Sequence, residues 1–343
     1  MNIRRAGIAI LLAGFMYSCS TKLNIDAPYK ETTVVYGLLD QLDTATYIKI
    51  NKAFLGVADA YTMAKAYDSS NYPNILTVQL QQISMVTGSL VKTITLSRDS
   101  SIAKPSGTFS SPEQILYKTK ARLDSSCQYN LVITNNKTHA PPVTGSTQLI
   151  SNFSISIPYG GSPGNLSFGN AVTPQRIEWV SATNGVVYTI TLRFYYYEQD
   201  ITTKAITKKH LDWIMPNQIA PIGGPGQTMY LDIPGATFFQ FLKSELSPLN
   251  SNTNRFIATA DSASIVDLIF DIGTQDLNTY ISVSQPTNSI TQSQPQYTDI
   301  SNGWGLFSAR YHIVKSPNYI TLSSIDSLYG GQFTGNLFSS SFQ

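Results

Sequence analysis

Alternating apolar and polar side chains recur along most of the chain, and the clearest run is Val186–Glu198. Successive side chains of a β-strand point to opposite faces, so one face of this run is predicted to enter a core. That face carries Tyr188, Ile190, Leu192, Phe194 and Tyr196. The opposite, outer face carries Arg193, Tyr195 and Tyr197.

The same alternation predicts a mainly β protein. Its other predicted strands are Thr32–Leu39, Thr46–Leu55, Ile75–Val86, Val91–Ser97, Gln114–Lys120, Tyr129–Asn135, Val143–Ile150, Phe153–Ile157, Arg176–Ser181, Arg255–Ala260, Ile265–Asp271, Asn278–Gln285 and Ala309–Val314. Helical spacing appears in Val57–Tyr67 and in Thr237–Leu246, where Thr237 is the predicted cap and Pro248 the stop. Asn184-Gly185, just before the long run, predicts a β-hairpin.

A possible tyrosine corner gives the first domain its expected architecture. Leu123 precedes Tyr129 by six residues at the start of an alternating strand, the spacing of the corner in immunoglobulin and fibronectin-III sandwiches. Tyr129 is therefore expected to be buried with its hydroxyl bonded to nearby backbone, and Cys127 to lie in the turn. A length of 343 residues suits two domains. We expect two tandem β-sandwiches of this type, residues 32–150 and 151–343, with one or two short helices.

The N-terminus predicts export and lipid attachment. Arg4 and Arg5 precede an apolar run, Ala6–Tyr17, which is too short to span a bilayer but suits a signal peptide. Ser18-Cys19 then matches a lipoprotein processing site, although an ordinary secretory signal with a coincidental cysteine is the alternative. Residues 1–18 are the predicted signal peptide and 19–31 a tether from acylated Cys19. The predicted location is a membrane of the cell envelope, and whether the protein faces the periplasm or the exterior is left open; the resemblance described below implies the outer membrane.

Composition excludes several classes of function. Removing Arg4 and Arg5 from the 23 basic residues leaves 21, which equals the 21 acidic ones. A neutral mature chain has no basic footprint for nucleic acid. The three histidines lie in separate segments without metal-binding spacing. We therefore predict no metal, no cofactor and no catalytic residue.

Aromatic side chains are the remaining candidates for binding. Tyr195, Tyr197 and Trp304 are predicted to form a stacking platform for sugar or peptide, with Arg193 as a planar donor. The alternative is that these side chains pack inside the protein.

Four segments resemble a known family. They are Thr33–Leu39, Tyr47–Asn51, Asp68–Pro73 and Tyr297–Phe307, and they are similar to uncharacterised Bacteroidota envelope lipoproteins, often encoded beside TonB-dependent outer-membrane receptors. The resemblance implies a tandem β architecture and a non-enzymatic accessory role, with such a receptor as partner. An envelope hydrolase or carbohydrate-active enzyme with a carboxylate site, or a structural or adhesive surface protein, are the alternatives.

One modification pattern also resembles that group of bacteria. An Asp followed by Ser or Thr and then an aliphatic residue is similar to their O-glycosylation sites. The candidate acceptors are Thr44, Ser262 and Ser327.

Overall fold

The computed structural model describes residues 32–53, 60–138, 140–158, 164–169, 173–222, 224–257, 264–285 and 296–339. Strands account for 47% of the described residues and helices for 14%, which confirms a mainly β protein. The predicted signal peptide, Cys19 with its predicted tether, and Ser262 lie outside the described residues.

The described residues form eighteen strands. Their bounds are β1 Thr32–Leu39, β2 Thr46–Ala53, β3 Leu76–Ser84, β4 Leu90–Thr95, β5 Ser97–Asp99, β6 Leu116–Thr119, β7 Cys127–Asn135, β8 Val143–Gln148, β9 Ser154–Ile157, β10 Gly164–Leu166, β11 Gln175–Val180, β12 Val187–Asp200, β13 Ile206–Ile214, β14 Gln218–Ile219, β15 Thr228–Ile233, β16 Thr253–Phe256, β17 Val266–Gly273 and β18 Trp304–Ile320. Five helices accompany them, more than the one or two predicted: α1 Ala60–Lys65, α2 Tyr67–Ser70, α3 Gly235–Glu245, α4 Gln275–Ser284 and α5 Leu322–Gly330.

One eleven-stranded sheet runs through both halves of the chain. Its path is β13-β12-β17-β18-β1-β2-β6-β5, with β10, β14 and β16 attached at its sides. The connection is a parallel pairing of β1 with β18, in which Val34 lies opposite Trp304 and Leu39 opposite Ala309. Separate sheets complete the two halves: β4-β3-β7-β8 in the first and β15-β11-β9 in the second.

Two apolar cores lie against this sheet. The first contains Val35, Ile48, Leu80 and Leu131, together with Phe307 from β18. The second is rich in aromatic side chains, which are Phe168, Trp179, Tyr188, Phe194, Tyr196, Phe238, Phe239, Phe270 and Phe338. The predicted division near Ile150 assigns residues to different cores only as far as residue 299. Beyond that point β18 contributes to both cores. The domain boundaries themselves stay a prediction.

The predicted faces of β12 and the tyrosine corner are confirmed. Tyr188, Ile190, Leu192, Phe194 and Tyr196 are all buried. Tyr129 is fully buried, and its hydroxyl accepts a hydrogen bond from the Asp124 amide at 2.6 Å. Cys127 is the buried first residue of β7, not a turn residue as expected.

The expected hairpin at Asn184-Gly185 is wrong. Asn184 adopts a positive φ of 62°, as a turn requires, but β11 pairs with β9 and β15 while β12 pairs with β13 and β17. The turn therefore moves the chain from one sheet to the other. Tyr188 braces it with a second corner, in which its hydroxyl accepts a hydrogen bond from the Ala182 amide at 2.7 Å.

The predicted strand Asn278–Gln285 is also wrong, because this segment belongs to α4. Thr274 caps the helix by accepting a hydrogen bond from the Leu277 amide. Leu277, Tyr280 and Ile281 repeat at helical spacing, a signal that the alternation of Ile281 and Val283 concealed. Helix α3 matches its prediction, but it begins at Gly235, so Thr237 lies in the first turn and does not cap it.

Candidate functional site

The outer face of β12 carries three of the four predicted binding residues, and each has a partner within the protein. Arg193 makes two hydrogen bonds of 2.7 Å to Asp212 on β13, which hold the pKa of the Arg193 guanidinium above its usual value. Tyr195 donates its hydroxyl to Asp267 on β17 at 2.9 Å. Tyr197 stacks on Phe256 with ring centroids 5.6 Å apart. These side chains therefore pack across neighbouring strands.

Trp304, the fourth residue, lies far from this group. Leu268 of β17 lies opposite both Leu192 and Lys315. Trp304 precedes Lys315 by eleven residues of β18. At about 3.3 Å per strand residue, Trp304 lies roughly 36 Å along β18 from Lys315, the residue level with Leu192 on β12. The structure therefore does not join Trp304 to Arg193, Tyr195 and Tyr197.

A groove crosses the outer face of β1, β2 and β18, and Tyr36 lies at its centre. Three adjoining cavities of about 510, 440 and 410 Å³ all have Tyr36 in their lining. We call this surface the Tyr36 groove. On its floor Tyr36 lies opposite Lys49, and Val34 lies opposite Asn51 on one side and Trp304 on the other. Helix α4 forms one wall, and residues 104–114 form the other.

The α4 wall presents the aromatic ring and the hydroxyl of Tyr280. Tyr280 meets Tyr36 edge-on, with centroids 6.1 Å apart and hydroxyl oxygens 3.2 Å apart. Burial, and then this hydrogen bond, raise the pKa of Tyr36 to about 12, so the Tyr36 phenol is neutral near pH 7. Tyr36 and Trp304 are 43% and 45% exposed, which leaves ring surface free for a ligand.

Gly305 sets how closely β18 approaches β1 beside Trp304. Its φ is +114°, and a Cβ at this position would lie 1.9 Å from the Val35 carbonyl oxygen. Only glycine fits such an approach, which explains the glycine that directly follows Trp304.

Two carboxyl groups beside the groove are engaged by the protein. Asp276 accepts the Tyr297 hydroxyl at 2.5 Å, and Asp299 accepts the Phe307 amide at 2.9 Å. Burial raises the pKa of Asp299 to about 6. Neither carboxyl lines the three cavities. They fasten the segment that precedes β18 to α4 and to β18 itself.

The candidate glycosylation residues differ in access. Thr44 is exposed in the β1–β2 turn, next to Asp43, which forms an ion pair with Arg310 at 3.1 Å. Ser327 is half-buried in α5, where its hydroxyl donates to the Ser323 carbonyl at 2.8 Å. Thr44 is therefore the more accessible acceptor of the two described.

Within the described ranges, no three histidine, cysteine or acidic side chains converge as a metal site. His312 instead bonds Asp271, with 2.7 Å between Nδ1 and Oδ1. Among the helices described, none has the length and apolar character needed to cross a bilayer.

Sequence reasoning did not single out Tyr36, Tyr280 or Lys49. Tyr36 stands at an outward position of the alternating strand β1, which is the one available signal. Its neighbours come from β2, α4 and β18, and only the fold brings them together.

No protein-family model matches the chain, and no sequence among the curated proteins is similar to it.

Proposed function

We propose that the protein is a lipid-anchored outer-membrane lipoprotein that binds a ligand in the Tyr36 groove without catalysing a reaction. The observation that carries the binding role is the exposure of Tyr36 and Trp304 at the centre and edge of three adjoining cavities. Ligand sites are usually concave, apolar and aromatic, with a few polar groups that orient the ligand. Lipid attachment rests on the signal sequence ending at Ser18-Cys19.

The accessory role near a TonB-dependent receptor extends this proposal and rests on the resemblance to Bacteroidota envelope lipoproteins. We propose also that both halves are immunoglobulin- or fibronectin-III-like sandwiches. The corner made by Tyr129 supports this for the first half, and the parallel pairing of β1 with β18 is its main departure from such a fold.

A hydrolase is the less favoured function, because the carboxyls that line the groove are engaged and lie in different cavities. Glu113 accepts the Tyr67 hydroxyl in the largest cavity, and Asp43 forms an ion pair with Arg310 in the second. The outer face of β12 remains the alternative binding surface. The experiments must therefore compare it directly with the Tyr36 groove.

The anchor is tested by metabolic labelling with an alkynyl fatty acid. We expect the wild-type chain to incorporate the label and to fractionate with the outer membrane, and Cys19→Ala to do neither. Ser20→Ala is the matched control and should behave as wild type. Equal labelling and membrane retention of Cys19→Ala would contradict lipid attachment.

The binding role is tested on defined glycan and peptide arrays with the lipidated chain in detergent. We expect wild type to bind a restricted set of ligands, and Tyr36→Ala and Trp304→Ala to lose them. Tyr195→Ala, at the alternative surface, should retain them. Loss only in Tyr195→Ala would transfer the site to β12, and no binding to either array would reject the proposal.

A further inference from the structure

The largest cavity of the Tyr36 groove, about 510 Å³, has an unequal set of charges in its wall. Its charged lining residues are Lys49, Lys52, Lys104 and Glu113, an excess of two positive charges. Without Arg4 and Arg5, the chain as a whole has 21 basic and 21 acidic residues and is neutral. The groove therefore concentrates positive charge that the composition does not show.

The three lysines come from two parts of the fold. Lys49 and Lys52 lie on β2, whereas Lys104 comes from the opposing wall. That wall is held in place by hydrogen bonds from the Lys104 amide to the Pro112 carbonyl at 2.8 Å and from the Ser110 amide to the Ala64 carbonyl at 3.0 Å.

Within the described part of the chain, none of these three lysines forms an ion pair. The ammonium of Lys104 lies 5.0 Å from the centre of the Phe109 ring and 3.4 Å from the Ser110 carbonyl oxygen. That of Lys52 lies 6.0 Å from the centre of the Tyr72 ring. Glu113 is 3.4 Å from the Tyr67 hydroxyl, which donates to it. The cations therefore retain donors for a ligand.

Lys49 is partly buried in the cavity wall, close to Lys104. Burial, and after it the positive charge of Lys104, lower the pKa of Lys49. Lysines that face each other across a cavity repel, and an anion between them removes that repulsion while it gains charge-assisted hydrogen bonds. Aromatic rings and amides line the same cavity, namely Tyr36, Phe109, Asn51, Asn71 and Gln114.

We propose that this cavity binds an acidic saccharide, whose carboxylate or phosphate lies between Lys49 and Lys104 while a sugar ring lies against Tyr36. The inference rests on the proposed ligand-binding function and names its ligand class. Aromatic faces and amides suit a sugar ring and its hydroxyls, and lysines supply the point charges for its acidic group. A cavity of this size is within the usual range for ligand sites, about 300–1,000 Å³.

The probes are trigalacturonic acid and its methyl ester, which share one carbon skeleton and differ in charge. Glucose 6-phosphate and glucose form the second pair. Calorimetric titration at low salt should give tighter binding of the acid in at least one pair, by roughly tenfold, the size of one hydrogen bond to a charged group. The pair in which the acid binds more tightly shows whether the site takes a carboxylate or a phosphate.

Variants of the lysines locate the effect. Lys49→Gln and Lys104→Gln should each remove most of the preference for the acid, while Lys49→Arg retains it. Lys137→Gln, at an exposed site in the turn after β7, is the matched control and should bind as wild type. Melting temperatures of all variants must remain near that of wild type, and Lys104→Gln carries the test if Lys49→Gln does not fold.

Two results overturn the inference, and they differ in their consequence for the proposed ligand-binding function. Equal binding of acidic and neutral probes, lost in Tyr36→Ala but not in Lys49→Gln, rejects the acidic ligand and retains the groove as a binding site. Absence of binding by all four probes rejects the ligand class. If the glycan and peptide arrays are also blank, the proposed function fails with it.

Discussion

Replacing Arg255 by methionine should destabilise the second core strongly. The side chain is 6% exposed and donates four hydrogen bonds. Two reach Glu198 at 3.1 and 2.8 Å, one reaches the Ser247 carbonyl at 3.1 Å, and one reaches the Leu337 carbonyl at 3.0 Å. Arg255 therefore ties β16 to β12 and to the segment after α5.

The magnitude follows from what is left unpaired. Removing one partner of a buried ion pair costs about 3–5 kcal/mol. Glu198 keeps its ion pair with Lys209, so we expect the lower end, about 3 kcal/mol. Arg255→Lys keeps the charge but not the planar fork, and should cost about 1–2 kcal/mol.

Equilibrium urea unfolding of the mature chain measures the effect, with Cys19→Ala in every sample and circular dichroism and tryptophan fluorescence as probes. Arg176→Met is the matched control, because Arg176 also makes two hydrogen bonds to a carboxylate, Asp232, but at the surface. Water screens that pair, so its loss should leave stability almost unchanged. If Arg255→Met were as stable as Arg176→Met, the reasoning about the buried fork would be refuted.

Two further predictions concern single hydrogen-bonding groups. Tyr129→Phe removes the acceptor of the Asp124 amide and should lower the free energy of unfolding by about 1 kcal/mol in the same assay, whereas Tyr230→Phe, at an exposed ring, should not. The folded-state pKa of Asp299, about 6, is above its unfolded value, so the stability it contributes is complete below that unfolded value and is lost as pH rises through 6. Asp299→Asn keeps an acceptor for the Phe307 amide, so it should be more stable than wild type at pH 7 and its stability should not fall between pH 4 and 7. If its free energy of unfolding fell with pH as steeply as that of wild type, this prediction would be wrong.

Local patterns in the sequence determined much of the fold. Alternation along β12 assigned each side chain to its face, and six-residue spacing placed Tyr129 in a corner. These features depend on neighbours along the chain, so they can be read without the tertiary structure. The sequence prediction missed α4 because its segment fits both the helical and the strand period. In the structure the segment is a helix that lies over the buried side chain of Leu306. Pairing across the Asn184-Gly185 turn was also misjudged, because a turn fixes a change of direction but not the sheet that the chain enters next.

The candidate site was decided almost entirely by tertiary structure. Trp304 was singled out in the sequence, but it lies on β18 in the Tyr36 groove, away from Arg193. The groove itself requires the parallel pairing of β1 with β18, which joins residues about 270 positions apart. In the sequence, Lys49 and Lys104 are two of the 21 basic residues of a neutral mature chain, and they meet in one cavity only because β2 and residues 104–114 converge. Charge adds through space, so composition fixes its total while the fold alone fixes where it accumulates.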